Sequence, residues 1–167
     1  NNDFAEARNV TVKYSKGEWY FFIDADEIVE NPEGIINFLN SKNRKNYNSA
    51  VVTIKNITNE SDDTSYSTCI ALRLFRNDKD FHFRGAVHEQ PQFKEPVYQI
   101  NTILIHYGYL STDDELMERK FIRNTELLKK ELEKDPANIY NWYQLSVSYG
   151  MYKDYKNALK YALKAYT

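Results

Sequence analysis

The chain has 167 residues and a formal net charge of -2, because 22 lysine and arginine residues nearly balance 24 aspartate and glutamate residues. This length suits one domain, or one domain with a small appendage, and the near-neutral charge gives no support for nucleic acid as a partner. The single cysteine, Cys69, excludes an internal disulfide and a cysteine-based zinc site, and no stretch is long and apolar enough to span a bilayer.

The first predicted elements are a helix and a buried strand. Apolar spacing favours a helix from Ala5 to Tyr14, and Gly17 ends it. The continuous apolar run that begins at Trp19 is typical of a strand buried on both faces of a parallel sheet. Because no strand precedes the helix and no initiator methionine is present, we expect the chain to be an excised piece of a longer protein.

The apolar run ends in three carboxylates, Asp24, Asp26 and Glu27. Ligands bind at the carboxyl ends of the strands in such sheets, so these acids stand where a site is expected. Asp24 and Asp26 are two residues apart, and an extended backbone would point both side chains the same way. Two convergent carboxylates repel unless a cation lies between them, so the pattern indicates a divalent metal. The alternative is that these acids only make the end of a strand soluble.

The rest of the first 110 residues predicts one more helix and several strands. Asn31-Pro32-Glu33 is a strong helix start, with a cap, a proline at the first position and an acid in the first turn. A polar, acidic loop is predicted over residues 59–67. Strands are predicted at residues 50–57, 70–76, 81–84 and 98–109. Residues 1–110 are therefore predicted to be of the α/β class.

From residue 111 to residue 167 the predicted structure is all-α. Thr112 to Glu115 is a capping box, and Asp135-Pro136 separates the helix that follows from two more. Ser146 and Ala158 would let those two helices approach closely, whereas Ala162 departs from the large aromatic that a tetratricopeptide repeat prefers. Six residues fall at the spacing of such a repeat: Trp142, Leu145, Tyr149, Tyr155, Ala158 and Ala165. The alternative is a generic helical hairpin.

Ordered blocks of this sequence resemble the GT-A glycosyltransferases of family 2. The matching blocks are Asn2-Asp3-Phe4, Ala7-Arg8-Asn9, Gly17-Glu18-Trp19 and Ile23-Asp24-Ala25-Asp26-Glu27. A second set, at residues 72–76, 85–89 and 105–109, is similar to the bacterial branch that carries tetratricopeptide repeats. The resemblance covers most of the chain but not the N-terminal half of the family's domain. It therefore implies a partial GT-A sheet, which is Rossmann-like, with flanking helices and without part of the donor site.

The resemblance assigns the acidic run to a metal ion and a nucleotide sugar. Asp24 and Asp26 match the family's DxD motif, which implies that Asp26 binds Mn²⁺ or Mg²⁺ on the donor diphosphate. Asp24 would contact the ribose or the sugar, or the metal ion, directly or through water. His106 ends a predicted strand where the family often supplies a further metal ligand, and imidazole suits Mn²⁺ better than Mg²⁺. The alternative for His106 is a hydrogen-bonded structural histidine.

The resemblance also implies a general base and donor contacts. Glu89 is the candidate that would take the proton of the acceptor hydroxyl in an inverting transfer, and His88 would share or orient that role. Arg8 and Asn9 would lie near the donor, where a guanidinium suits a diphosphate. Glu27 is a rival base but lies close to the predicted metal ligands. The alternatives are a loop acid at Glu89 and an exposed helix residue at Arg8.

Together these features predict a metal-dependent inverting glycosyltransferase that uses a nucleotide diphosphate donor, by expectation a UDP-sugar. The acceptor would be a glycan, a lipid-linked or a peptide acceptor, as in cell-surface glycan biosynthesis. We expect the excised piece itself to be inactive, and the protein to be cytoplasmic or at the inner face of the membrane. The alternative from another class is a non-catalytic interaction module that binds protein partners through its repeats and carries an inactive glycosyltransferase-like domain.

Overall fold

The computed structural model describes residues 3–59, 65–108 and 114–166. The chain forms two compact units that interleave along the sequence. The sheet unit consists of Thr11–His82 and Gln92–Thr112, and the helical unit consists of Asn1–Val10, Phe83–Pro91 and Asp113–Thr167. In chain order the elements are α1 (Phe4–Tyr14), β1 (Trp19–Phe21), β2 (Glu27–Val29), α2 (Glu33–Asn40), a 3-10 helix (Lys42–Asn46), β3 (Ser49–Ile57), β4 (Tyr66–Arg76), β5 (Phe83–Arg84), β6 (Gln90–Pro91), β7 (Val97–His106), α3 (Asp114–Lys134), α4 (Ile139–Met151) and α5 (Tyr155–Tyr166).

The sheet unit is built on a five-stranded mixed sheet with the strand order β1-β4-β3-β7-β2. Strands β3 and β7 are parallel, and the other three pairs are antiparallel. The α/β class predicted for this part of the chain is confirmed. A predominantly parallel sheet is not what forms, because three of the four strand pairings are antiparallel.

The apolar run before the acids does not form one buried parallel strand, so that prediction is wrong. The run yields β1, an edge strand of three residues that pairs antiparallel with β4, and the chain then leaves the sheet at Phe22. Residues 22–26 connect β1 to β2, which is the opposite edge strand of the sheet. The run is apolar because its aromatic side chains pack against those of the sheet, and not because helices cover the strand on both faces. Phe22, for example, stacks on Phe75 with ring centroids 6.2 Å apart.

Helix α2 covers the sheet, and its apolar residues form the core with strands β3, β4 and β7. Ile35 and Phe38 of α2 are buried against residues such as Val52, Leu74 and Leu104. The helix begins at Glu33, close to the predicted start. The side chain of Asn31 does not cap the helix. Instead it accepts from the backbone amide of Ile103 at 2.7 Å, and this hydrogen bond attaches the segment before α2 to strand β7.

The helical unit has a second core. Leu128 and Leu132 of α3 and Leu145 of α4 are buried together with Val87. None of the helices in the described part of the chain is long and apolar enough to cross a membrane.

Helices α4 and α5 form the antiparallel hairpin that the sequence predicted. Their close approach involves Ser146, whose hydroxyl donates to the carbonyl of Ala158 at 2.9 Å. Tyr161, rather than residue 162, supplies the large aromatic of the second helix, and it stacks on both Trp142 and Tyr149. The hairpin is thus established, and its assignment to a tetratricopeptide repeat stays a prediction.

Three predicted features fall outside the described residues. They are most of the acidic loop at 59–67, the capping box that begins at Thr112, and the boundary between residues 110 and 111. The division of the chain into parts 1–110 and 111–167 therefore stays a prediction.

Replacing Gly34 with alanine should destabilise the sheet unit, because α2 approaches β7 closely at this residue. A Cβ atom there would lie 2.1 Å from the carbonyl oxygen of Asn101 and 2.5 Å from the hydroxyl of Thr102. Backbone cannot yield as a flexible side chain does, so we expect Gly34→Ala to lower the free energy of unfolding by about 2–3 kcal/mol in urea titrations.

Gly150→Ala is the matched control for this change. Its added Cβ would meet only the Cβ of Ala158 at 4.0 Å, inside helix α4. We expect this variant to be more stable than wild type by about 0.5–1 kcal/mol, since alanine favours a helix over glycine. Equal free energies of unfolding for Gly34→Ala and wild type would contradict the close contact between α2 and β7.

Candidate functional site

Three polar residues lie side by side in the sheet at the carboxyl ends of the parallel strands β3 and β7. Asn56 is the second-last residue of β3, and His106 is the last residue of β7 directly beside it. Glu27, the first residue of β2, faces His106 from the other side in the sheet. The carboxyl end of a parallel strand pair is where open α/β sheets place their ligands.

Asp26 and His106 face each other at this edge. The Oδ2 atom of Asp26 lies 3.5 Å from Nε2 of His106, and the backbone amide of Tyr107 donates to the carbonyl of Asp26 at 3.0 Å. The other ring nitrogen of His106, Nδ1, lies 2.8 Å from Oδ1 of Asn56. An amide oxygen can only accept, so Nδ1 donates to Asn56 and Nε2 is the ring nitrogen that faces Asp26. A carboxylate oxygen and an imidazole nitrogen that face each other in this way can act as ligands of one metal ion.

Gly108 leaves room for this pair. A Cβ atom at residue 108 would lie 2.4 Å from Nε2 of His106 and 2.5 Å from Oδ2 of Asp26. A side chain there would push apart the two atoms that face each other. The sequence motif that begins at His106 therefore combines a ligand-type side chain with the small residue that its neighbour requires.

Asp24 lies in a turn and not in an extended strand, so the predicted alignment of Asp24 with Asp26 is wrong. The turn is closed by the backbone amide of Glu27, which donates to the carbonyl of Asp24 at 3.0 Å. The carboxylate of Asp24 lies 3.8 Å from NH2 of Arg73, whereas Asp26 faces His106. A turn breaks the alternation on which the prediction relied.

The side chains that could act as metal ligands here fit a metal ion only in part. Among the described residues, no three histidine, cysteine, aspartate or glutamate side chains are arranged to hold a metal ion. Asp26 and His106 supply one oxygen and one nitrogen. Ions such as Mg²⁺ commonly use one or two protein ligands and take the rest from substrate phosphates and water. The residues present therefore fit a cation that binds together with a phosphorylated substrate.

The helical unit brings together two other predicted residues. The guanidinium of Arg8 forms an ion pair with the carboxylate of Glu89, and both side chains are largely buried. Phe83 packs beneath the same guanidinium, with its ring centroid 5.7 Å away. The ion pair fixes the position of the Glu89 carboxylate.

His88 adopts an uncommon backbone conformation beside Glu89, with φ at 52°. Its Nε2 atom is buried and has no hydrogen-bond partner in the described part of the chain. Burial lowers the pKa of His88, and the charge of Glu89 opposes this shift to a smaller extent. The ring is therefore held neutral at neutral pH.

Asn9 is engaged with the backbone of β5. Its Nδ2 donates to the carbonyl of Phe83 at 3.0 Å, and its Oδ1 accepts from the amide of the same residue at 2.7 Å. This clamp gives Asn9 a structural contact that sequence reasoning missed. Its role near a donor stays a prediction.

The predicted site residues are thus divided between the two units. Asp24, Asp26 and His106 belong to the sheet unit, and Arg8, Asn9, His88 and Glu89 belong to the helical unit. The contacts that Asn56, Arg73 and Gly108 make in the sheet unit were not predicted from the sequence. The signal for Asn56 was available, since a polar residue at the end of a predicted strand is a site candidate, whereas the pairing of Arg73 with Glu27 depends on the fold.

The chain is similar in sequence to a named glycosyltransferase. It is 29% identical over 143 residues to glycosyltransferase SunS of Bacillus phage SPbeta and to the SPbeta prophage-derived glycosyltransferase SunS of Bacillus subtilis strain 168. The match covers 82% of this chain and 32% of each relative, so the chain spans about a third of their length. No protein-family model matches the chain.

His88 should make the stability of the protein depend on pH. Its pKa lies below the ordinary value of 6.5, because of burial. Just below that value the unfolded chain binds a proton that the folded chain does not, so stability falls as the pH falls. We expect the melting temperature of wild type to drop between about pH 7.5 and about pH 5, and to drop less in His88→Asn. Asparagine is chosen because it tolerates the left-handed backbone of residue 88. If the melting temperatures of the two proteins fell equally with pH, His88 would not be the source of the pH dependence.

Proposed function

We propose that this chain is part of a glycosyltransferase that uses a divalent cation. The observation that carries the proposal is the facing pair of Asp26 and His106 at the carboxyl ends of β3 and β7, 3.5 Å apart. Similarity to glycosyltransferase SunS across 82% of the chain supports the reaction class. In finer terms we propose a family 2 GT-A enzyme whose DxD motif is Asp24 to Asp26.

Asp26 and His106 would hold the cation from the protein side. A carboxylate with an imidazole favours Mn²⁺ over Mg²⁺, because nitrogen ligands suit transition metals better. Asn56 orients the ring of His106 by accepting from Nδ1, and such outer partners raise the basicity of a ligating histidine. A bound cation would supply neutralisation of the charge that develops on a departing nucleotide diphosphate.

The donor in this proposal is a nucleotide diphosphate sugar, with a UDP-sugar as the first choice. Asp24 carries a half-exposed carboxylate that can accept from ribose or sugar hydroxyl groups. Arg73 lies beside it with a guanidinium near the same turn. The acceptor would be a glycan, a lipid-linked or a peptide acceptor.

In the helical unit, Glu89 is the proposed general base. Its carboxylate would accept the proton of the acceptor hydroxyl as that oxygen attacks the anomeric carbon, with inversion. Arg8 supports this role because its ion pair holds the carboxylate of Glu89 in place. His88 stays the proposed partner of Glu89.

A second candidate function is protein interaction through the helical hairpin. Tyr155, Leu159 and Leu163 lie along one side of α5 and are 70%, 63% and 56% exposed. A single repeat of a tetratricopeptide array cannot cover its own apolar face, so this surface favours a protein partner. Calorimetry with Mn²⁺ and UDP separates the two functions, since an interaction module with an inactive enzyme domain would bind neither.

Asp26→Asn should abolish most metal-dependent activity. The amide keeps the shape of the side chain but loses the charge that holds a cation opposite His106. In the full-length protein we expect Mn²⁺-dependent release of nucleotide diphosphate to fall by at least about a hundredfold, which is about 2.7 kcal/mol of transition-state stabilisation.

Asp80→Asn is the matched control. Asp80 is an exposed aspartate in a turn, and its carboxylate pairs with Lys94. We expect this variant to keep wild-type activity. Unchanged turnover in Asp26→Asn would eliminate the metal assignment.

A further inference from the structure

Glu27 is a buried carboxylate beside the proposed metal site. Its side chain is 2% exposed, whereas those of Asp24 and Asp26 are 38% and 49% exposed. A buried carboxylate is costly unless it is paired and hydrogen-bonded. The contacts of Glu27 therefore indicate what its charge does for the protein.

Both oxygen atoms of Glu27 are engaged. Oε2 accepts from the backbone amide of Asp24 at 3.0 Å, and Oε1 accepts from NH2 of Arg73 at 2.5 Å. The backbone amide of Glu27 in turn donates to the carbonyl of Asp24 at 3.0 Å. Glu27 thus binds the start of the turn twice, once through its backbone and once through its side chain.

The other end of the same turn is attached to β7. The amide of Tyr107 donates to the carbonyl of Asp26, and Glu27 faces His106 in register between β2 and β7. The turn is therefore fixed at Asp24 by the carboxylate of Glu27 and at Asp26 by strand β7. The direction of the Asp26 side chain toward His106 depends on both attachments.

Arg73 is the counter-ion of this carboxylate. Its guanidinium stacks over the ring of Phe22, with the ring centroid 4.5 Å from Cζ, and its side chain is largely buried. It thus reaches Glu27 from a fixed position on β4. The same guanidinium lies 3.8 Å from Asp24, so it also offsets the repulsion between the two carboxylates.

These contacts leave Glu27 unsuited to act as a metal ligand or as the general base. Either role would require its buried oxygens to leave the amide of Asp24 or the guanidinium of Arg73. The geometry points to a different role, which rests on the proposed function: Glu27 is a positioning residue, neutralised by Arg73, that fixes the turn from Asp24 to Asp26 and thereby aims Asp26 at His106.

Glu27→Asp tests this role because it keeps the charge and shortens the side chain by one methylene. The shorter carboxylate can stay paired with Arg73 but cannot also reach the amide of Asp24. In the metal-free chain we expect amide hydrogen exchange at Asp24, followed by NMR, to be at least about tenfold faster than in wild type. By calorimetry we expect Mn²⁺ affinity to fall about 10–100-fold.

Glu18→Asp is the matched control. Glu18 pairs with Arg76, which lies on the same strand β4 and stacks over Trp19, but this pair is more exposed. We expect Glu18→Asp to leave both the exchange at Asp24 and the Mn²⁺ affinity at wild-type values. If Glu27→Asp does not fold, Arg73→Lys serves in its place, with the same two changes expected in the same direction.

Slow exchange at Asp24 in Glu27→Asp, equal to that of wild type, would overturn the inference. So would faster exchange with unchanged Mn²⁺ affinity, because the turn would then not aim Asp26. If wild type itself binds no Mn²⁺, the proposed metal-dependent function fails, and the exchange at Asp24 still decides whether Glu27 holds the turn.

Discussion

The buried ion pair between Glu27 and Arg73 is the interaction on which the candidate site depends. It joins β2 at one edge of the sheet to β4, which neighbours the opposite edge strand. The connection between β1 and β2 carries Asp24 and Asp26, and such an acidic segment would repel itself without a fixed positive charge. Arg73 supplies that charge and pairs with Glu27. The Glu27 carboxylate also accepts from the amide of Asp24, and this second contact fixes the turn.

The parallel pair of β3 and β7 supplies the other half of the site. Asn56 and His106 are neighbours because these two strands run in the same direction and end together. The hydrogen bond between them sets which ring nitrogen of His106 faces Asp26. A turn from one edge and a histidine from the middle of the sheet thus meet at one point, and Gly108 leaves the space that they need.

The sequence predicts local structure well and long-range pairing poorly. The span of helix α4 and the start of α2 follow from apolar spacing and from the residues of the first helical turn, which are local properties. The apolar run from Trp19 misleads because a short edge strand followed by packed aromatic residues has the same pattern as a buried strand. His106 and Asp26 are found from motif resemblance, but the roles of Asn56 and Arg73 depend on strand order, which no local pattern encodes.

A cation site at Asp26 and His106 is tested most directly by titrating Mn²⁺ into the isotope-labelled chain and following the NMR signals of its three histidines. A paramagnetic ion broadens nearby nuclei first. If Asp26 and His106 hold the cation, the ring signals of His106 and the amide signal of Gly108 broaden at Mn²⁺ concentrations that leave His82 and His88 sharp, and Asp26→Asn removes this preference. Equal broadening of all three histidines, or first broadening at His82, would contradict a cation site at Asp26 and His106.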